Sequence, residues 1–258
     1  MNNLLRSEFY KLRCSKSLKV ITFIELCIYL FSSVMTKFVS EATTVNDPEM
    51  PLFAFPIIGA NAPYMIMSEF DSITLFMAIF AGIFIAGEFS KGTIKNILAL
   101  GKSRFEVYCS KLLVLMAVGT LFVFVVTVTY TLGFTILFGF GKDITGTYIL
   151  SLFKLFLLEG LFFTVYASVF TLISISIRNV AGAIGASIGA IIFPNIMQQL
   201  ILIFDLPKWV SQILLIPYME SLSTLELNVF YGDILIALGL IICSIALGMM
   251  NFNKADIK

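Results

Sequence analysis

Two acidic residues stand where acids are costly. Glu25 and Glu159 each interrupt a long apolar run. A carboxylate at the centre of a membrane helix costs about 2.5–3.5 kcal/mol on insertion scales. Each must therefore face protein or water, or keep its proton. Such a group can line a cavity, couple an ion, or hydrogen-bond inside a helix bundle. Glu25 follows Lys19 closely, so a bundle hydrogen bond or a reach back to the surface is the expected role. Glu159 lies deeper, and cavity lining and packing stand level for it. Other reactive chemistry is sparse. Histidine is absent, which removes the commonest general base, metal ligand and pH switch. Cys14, Cys27, Cys109 and Cys243 form no CxxC pair and suit small reduced hydrophobes. Gly101-Lys102-Ser103 copies the end of a phosphate-binding loop, but Asn96 replaces its first glycine and no strand precedes it. No catalytic, metal or cofactor site is expected on this chain, and no nucleic-acid partner at a net charge of +1.

The elements that carry these residues follow from composition. Of 258 residues, 59% are hydrophobic and 13% charged, against about a quarter charged in soluble domains. The bilayer must be the main solvent. A spanning helix needs roughly 20 apolar residues, and six runs qualify, at about 18–38, 70–87, 107–138, 148–177, 181–204 and 233–252. The expectation is one all-α polytopic domain over 1–258. The fifth run is rich in small residues, and Gly185 and Gly189 form a GxxxG step that suits close helix packing, within one bundle or between copies.

Charge sets orientation. Thirteen of the 17 Lys and Arg residues lie before span one, between spans two and three, at Arg178, or after span six. Six spans with both termini cytoplasmic put them on one side. Residues 50–70 and 205–228 on the other side are apolar but broken by proline. They read as short helices in or dipping into the outer leaflet, with Trp209 and Tyr218 as interfacial residues. Irregular backbone at membrane depth requires protein or a wet cavity to satisfy it. The 26 phenylalanines suit an apolar lateral route as well as an ordinary lipid-facing surface.

Two segments flank the spans with more pattern than a connector requires. Residues 1–17 hold Leu5, Phe9 and Leu12 at helical spacing among Arg6, Lys11 and Arg13, a basic amphipathic interfacial helix. Between spans two and three, Ile94, Ile97, Leu98 and Gly101 recur at helical spacing, which predicts a short helix over about 90–101 ending at a glycine C-cap. Its apolar stripe requires a surface to cover it, and a partner's groove is one.

These segments resemble type-2 ABC transporter permeases. Ser7-Glu8-Phe9-Tyr10-Lys11-Leu12-Arg13-Cys14-Ser15 is similar to that family's E-x-x-K-L-(K/R)-R-S opening. Glu88-Phe89-Ser90-Lys91-Gly92-Thr93-Ile94-Lys95 resembles its E-x-x-x-G-T-x-K signature, placed where the family has its coupling helix. Phe252-Asn253-Lys254-Ala255-Asp256-Ile257 is similar to its closing motif. The resemblance implies a permease of the bacterial cell membrane, without enzymatic activity of its own. ATP and magnesium would be held by a separate ABC ATPase subunit. A second permease chain, identical or related, would complete the pathway. Glu88, Lys91, Gly92, Thr93, Ile94, Lys95, Ile97 and Leu98 are then the ATPase-coupling residues. The nearest likeness is to small permeases for lantibiotic immunity, bacitracin resistance and export of amphipathic peptides, so the expected substrate is a peptide or lipophilic compound. The rival readings are an ion-coupled secondary transporter using Glu159, and a non-transporting scaffold or sensor. An intramembrane enzyme lacks its usual catalytic groups here.

Overall fold

The structure, a computed structural model, describes residues 2–46, 56–204, 207–222 and 231–254. Among the described residues there is helix and no strand. An amphipathic α1 (Asn2–Cys14) precedes α2 (Lys16–Asn46). A 3-10 segment, Gly59–Glu69, leads into α3 (Phe70–Ala81), which continues through a π-helical turn, Gly82–Ala86, into α4 (Gly87–Ser90). Then come α5 (Thr93–Ala99), α6 (Arg104–Phe138), α7 (Gly146–Ile177), α8 (Val180–Phe204), α9 (Lys208–Ile213), α10 (Ile216–Leu222) and α11 (Tyr231–Lys254). Six described stretches are long and apolar enough to cross a membrane: Lys16–Glu41, Phe70–Ser90, α6, α7, α8 and α11.

Spans two, three and four form the centre, and spans one, five and six pack around them. The peripheral helices bury narrow lines at near four-residue spacing. On α2 the line is Ile21, Glu25, Tyr29 and Ser33; on α8 it is Ala183, Ser187 and Ile191. One stripe per helix is what a helix lying against a bundle, with lipid elsewhere, requires. Gly133 lets α2 approach α6, since a Cβ there would stand 2.7 Å from Ser33 Oγ.

The expected use of Gly185 and Gly189 within one bundle is not what the fold adopts. Both are exposed, and a Cβ at either would meet nothing within 4 Å. The helix turns Ala183, Ser187 and Ile191 inward instead, two residues out of register with the glycines and so on roughly the opposite face.

Cross-links place the connections at two ends. At one end, here called the base, Lys11 meets Glu88, Ser90 donates to Arg178 O, and Arg104 donates to Phe252 O and Asn253 O. The α1 helix, the α4–α5 loop, the α7–α8 turn and the last turn of α11 thus share the base. At the far end the 3-10 segment is inserted against α6, and every residue from Gly59 to Ile66 is buried. Its backbone is satisfied by protein: Gly59 N donates to Gly139 O, Ala60 N to Phe140 O, and Tyr148 Oη to Ala60 O. Asn61 accepts from Lys142 Nζ at 2.9 Å. The remainder of the expected outer-leaflet helices falls partly on 50–55, 205–206 and 223–228, outside the described residues. Trp209 is exposed, as an interfacial residue would be, but Tyr218 is not. It is buried, donates to Leu158 O at 2.8 Å and stacks on Phe162.

Candidate coupling site

The site is built on the base, from the turn that ends span two. Gly92 has φ of 71° and precedes α5; Gly101 has φ of 81° and follows it. Left-handed backbone disfavours side chains by about 1–2 kcal/mol, so glycines suit both ends of this seven-residue helix. Leu100 N and Gly101 N close the C-terminal turn onto Asn96 O and Leu98 O. Immediately afterwards Ser103 caps α6. Its Oγ accepts from Glu106 N, and Glu106 returns a carboxylate oxygen to Ser103 N. The residues that echoed a phosphate loop therefore begin a helix, in a reciprocal capping box.

The predicted apolar stripe of α5 is real but faces the other way. Ile94 is buried, and Ile97 and Leu98 are half-buried against this chain's own core. The stripe finds its groove within the protein, so these three residues hold α5 to the bundle and are not its outward contacts. The outward face carries Lys91, Lys95, Asn96, Ala99 and Leu100, with Leu100 82% exposed. Thr93 opens the helix, half-buried beside Gly92.

Glu88 also turns inward. Lys111 Nζ donates to Glu8 Oε2 and, at 2.5 Å, to Glu88 Oε2. Lys11 Nζ donates to Glu8 Oε1 at 2.8 Å and to Glu88 Oε1 at 3.2 Å. Two carboxylates and two ammoniums alternate in a closed, net-neutral ring. The ring joins α1, α4 and α6. Glu8 and Lys111 are 0% and 1% exposed, which is tolerable only because each charge is paired more than once. The Lys111 ammonium also lies 4.9 Å from the centroid of Phe84, in the π-helical turn. Burial works against the charge of Lys11, but its bonds to Glu8 and the charges of Glu88 and Glu8 outweigh that. They hold the ammonium above its ordinary 10.5.

The ring explains the α1 pattern. The inward line is Leu4, Glu8 and Leu12, whereas Phe9 of the expected stripe is exposed. A carboxylate occupies the middle of the buried face because Lys111 awaits it. Of the ring, sequence reasoning had singled out Glu88 alone as a site residue. The available signal was the Glu8–Lys11 spacing, together with a lysine two turns inside an apolar helix.

Further braces complete the base. The Arg104 guanidinium lies 5.7 Å from the Phe252 ring centroid, and Phe89 meets Phe252 edge-on. These contacts tie α4, the element directly before α5, to α1, α6 and α11.

The two intramembrane acids lie elsewhere. Glu25 is fully buried and, among the described residues, neither oxygen has a hydrogen-bond partner. Neither the expected bundle bond nor a reach to the surface occurs. Glu159 is 1% exposed, lines a lateral groove, and leaves Oε1 without a partner.

A family model described as ABC-2 family transporter protein matches residues 4–194. This chain belongs to the ABC-2 transporter family. It is the membrane-spanning permease component, distinct from the ATPase with which such permeases work. The matched region takes in α1, the ion ring, α5 and the first four spans. No curated protein matches the chain.

Proposed function

We propose that this permease is the transport half of an ATP-driven exporter that moves amphipathic peptides or similar lipophilic compounds out of a bacterial membrane. The base would face the cytoplasm. The observation that carries this reading is α5: a short helix, glycine-bounded at both ends, whose outer face is exposed, whose inner face packs on the permease core, and which directly follows the α4 turn that carries Glu88 of the ion ring. An ATPase subunit seated on Lys91, Lys95, Asn96 and Leu100 would push α5. Glu88 and Lys111 would pass that motion to span three and α1, and the π-helical turn above Glu88 gives span two a place to yield. A second permease copy, identical or related, would complete the pathway. The abundant positive charge at the base supports the cytoplasmic assignment.

The test uses the chain co-purified with its ATPase subunit and reconstituted in liposomes. Lys91→Glu with Lys95→Glu, or Leu100→Asp, should leave the permease folded but abolish transport-linked ATP hydrolysis. Normal coupled transport by these variants would remove the role given to this helix. A panel of membrane-active peptides, scored for survival of cells with and without the complex, identifies the substrate. Glu25 and Glu159 favour a second reading, an ion-coupled transporter. It predicts transport that persists without ATP and collapses when the ion gradient is dissipated.

A further inference from the structure

The antiparallel spans three and four do not close on each other along the half of the bundle towards the far end. Between them is a groove of about 340 Å³, at the small end of the range for ligand sites. Its walls include Phe124 and Val128 of α6 and Leu155 and Phe156 of α7, with Pro63 of the 3-10 segment beyond. Leu155 is buried, whereas Phe124, Val128 and Phe153 stay exposed towards the surrounding lipid. The groove is thus open sideways to the bilayer. From Ile149 to Glu159 it follows α7 for roughly 15 Å.

One polar group breaks this apolar lining in an unusual way. Thr127 is satisfied by its own helix, through a bond to Val123 O. Glu159 is not satisfied: its Oε1 is sealed from solvent and has no hydrogen-bond partner among the described residues. Glu159 lies near the middle of α7, across from Phe124, at the deep end of the groove. A buried acceptor without a partner is costly, on the order of 1–3 kcal/mol or more for a charged group.

We propose that this groove binds a lipophilic amine from within the bilayer, with its basic nitrogen on Glu159 and its apolar body along spans three and four. The two groups share one proton, so the pair carries no net charge into hydrocarbon, and its charge-assisted bond supplies what Oε1 lacks. A purely apolar occupant, such as an acyl chain, would fill the walls and leave the carboxyl unanswered. The site does not depend on α5 or on ATP.

Photolabelling of the full chain in nanodiscs tests this. The probe is an N,N-dimethyldodecylamine bearing a diazirine on its chain, and the control is the matching methyl dodecyl ether. The amine should label residues of the 124–128 and 149–159 stretches saturably. Glu159→Gln should weaken it about tenfold or more, the loss of one charge-assisted bond, with the ether unaffected. Val128→Trp, which narrows the groove from its exposed wall, should abolish labelling by both. Equal labelling by amine and ether, indifferent to Glu159→Gln, would mean a groove for acyl chains and overturn the proposal. So would the absence of saturable labelling in the unaltered protein, as expected if a second copy covers this face. Because no nucleotide is added, these outcomes are independent of the coupling reading.

Discussion

Glu8, Lys11, Glu88 and Lys111 owe their positions to mutual neutralisation. Removing one partner of a buried pair leaves an uncompensated charge, at a cost of about 3–5 kcal/mol. Lys111→Met and Glu8→Gln should therefore each lower thermal stability by that order, measured as unfolding in detergent. Lys111→Met with Glu8→Gln should cost less than the sum of the two, because these residues are in direct contact. The pH response follows from Lys11. Its raised folded-state value means that its contribution is fully present below the unfolded value of about 10.4 and is lost as pH rises through the folded one. Spin labels placed on Asn3→Cys and Lys95→Cys should keep a constant separation from pH 6 to 9. They should part only beyond the ordinary lysine range, where the Lys11 ammonium gives up its proton. The types in the ring were readable in advance, and Glu8-x-x-Lys11 and Glu88 belong to motifs that the sequence displays. Their partnership was not readable, because it joins positions as far apart as 103 residues through helix packing.

Individual helices divide into those whose sequence explains them and those whose neighbours do. The α5 helix is local. Gly92 and Gly101 supply left-handed backbone at its ends, and no atom lies near either to oppose a side chain. Gly92→Ala should therefore cost about 1–2 kcal/mol through backbone strain alone, loosening α5 and lowering coupled ATP hydrolysis without disturbing the spans. The direction in which its stripe faces is not local. A helical period says that one face is apolar, not which body covers it, and here the body is the permease's own core. Close approach of α2 to α6 is likewise a pair property. Gly133→Ala would press on Ser33 and should destabilise by about 1–3 kcal/mol, as overpacking does, whereas Gly185→Ala on the open face of α8 should be tolerated. Thermal unfolding of the two variants side by side checks both. The π-helical turn in span two has no sequence signature comparable to a proline or glycine cap.

At the scale of the whole molecule, alternation of six spans brings α1, the α4–α5 loop, the α7–α8 turn and the end of α11 to one face. Cysteines substituted at Lys95 and Lys142 should then react with a membrane-impermeant maleimide from opposite sides of the bilayer, Lys95→Cys from the cytoplasm. Labelling of both from one side would break the six-span arrangement. The sequence by itself determined the solvent, the helical class, the number of spans and the motifs of the ABC-2 family. Hydropathy and turn chemistry act over a few residues, and hydrocarbon leaves helices as the economical way to satisfy the backbone. The tertiary structure decided which face of each helix is buried, which charges meet in the ring, and that both oxygens of Glu25 and Oε1 of Glu159 have no hydrogen-bond partner among the described residues. Those outcomes depend on rotations and separations between helices, which apolar surfaces facing lipid on one side and protein on the other do not encode one helix at a time.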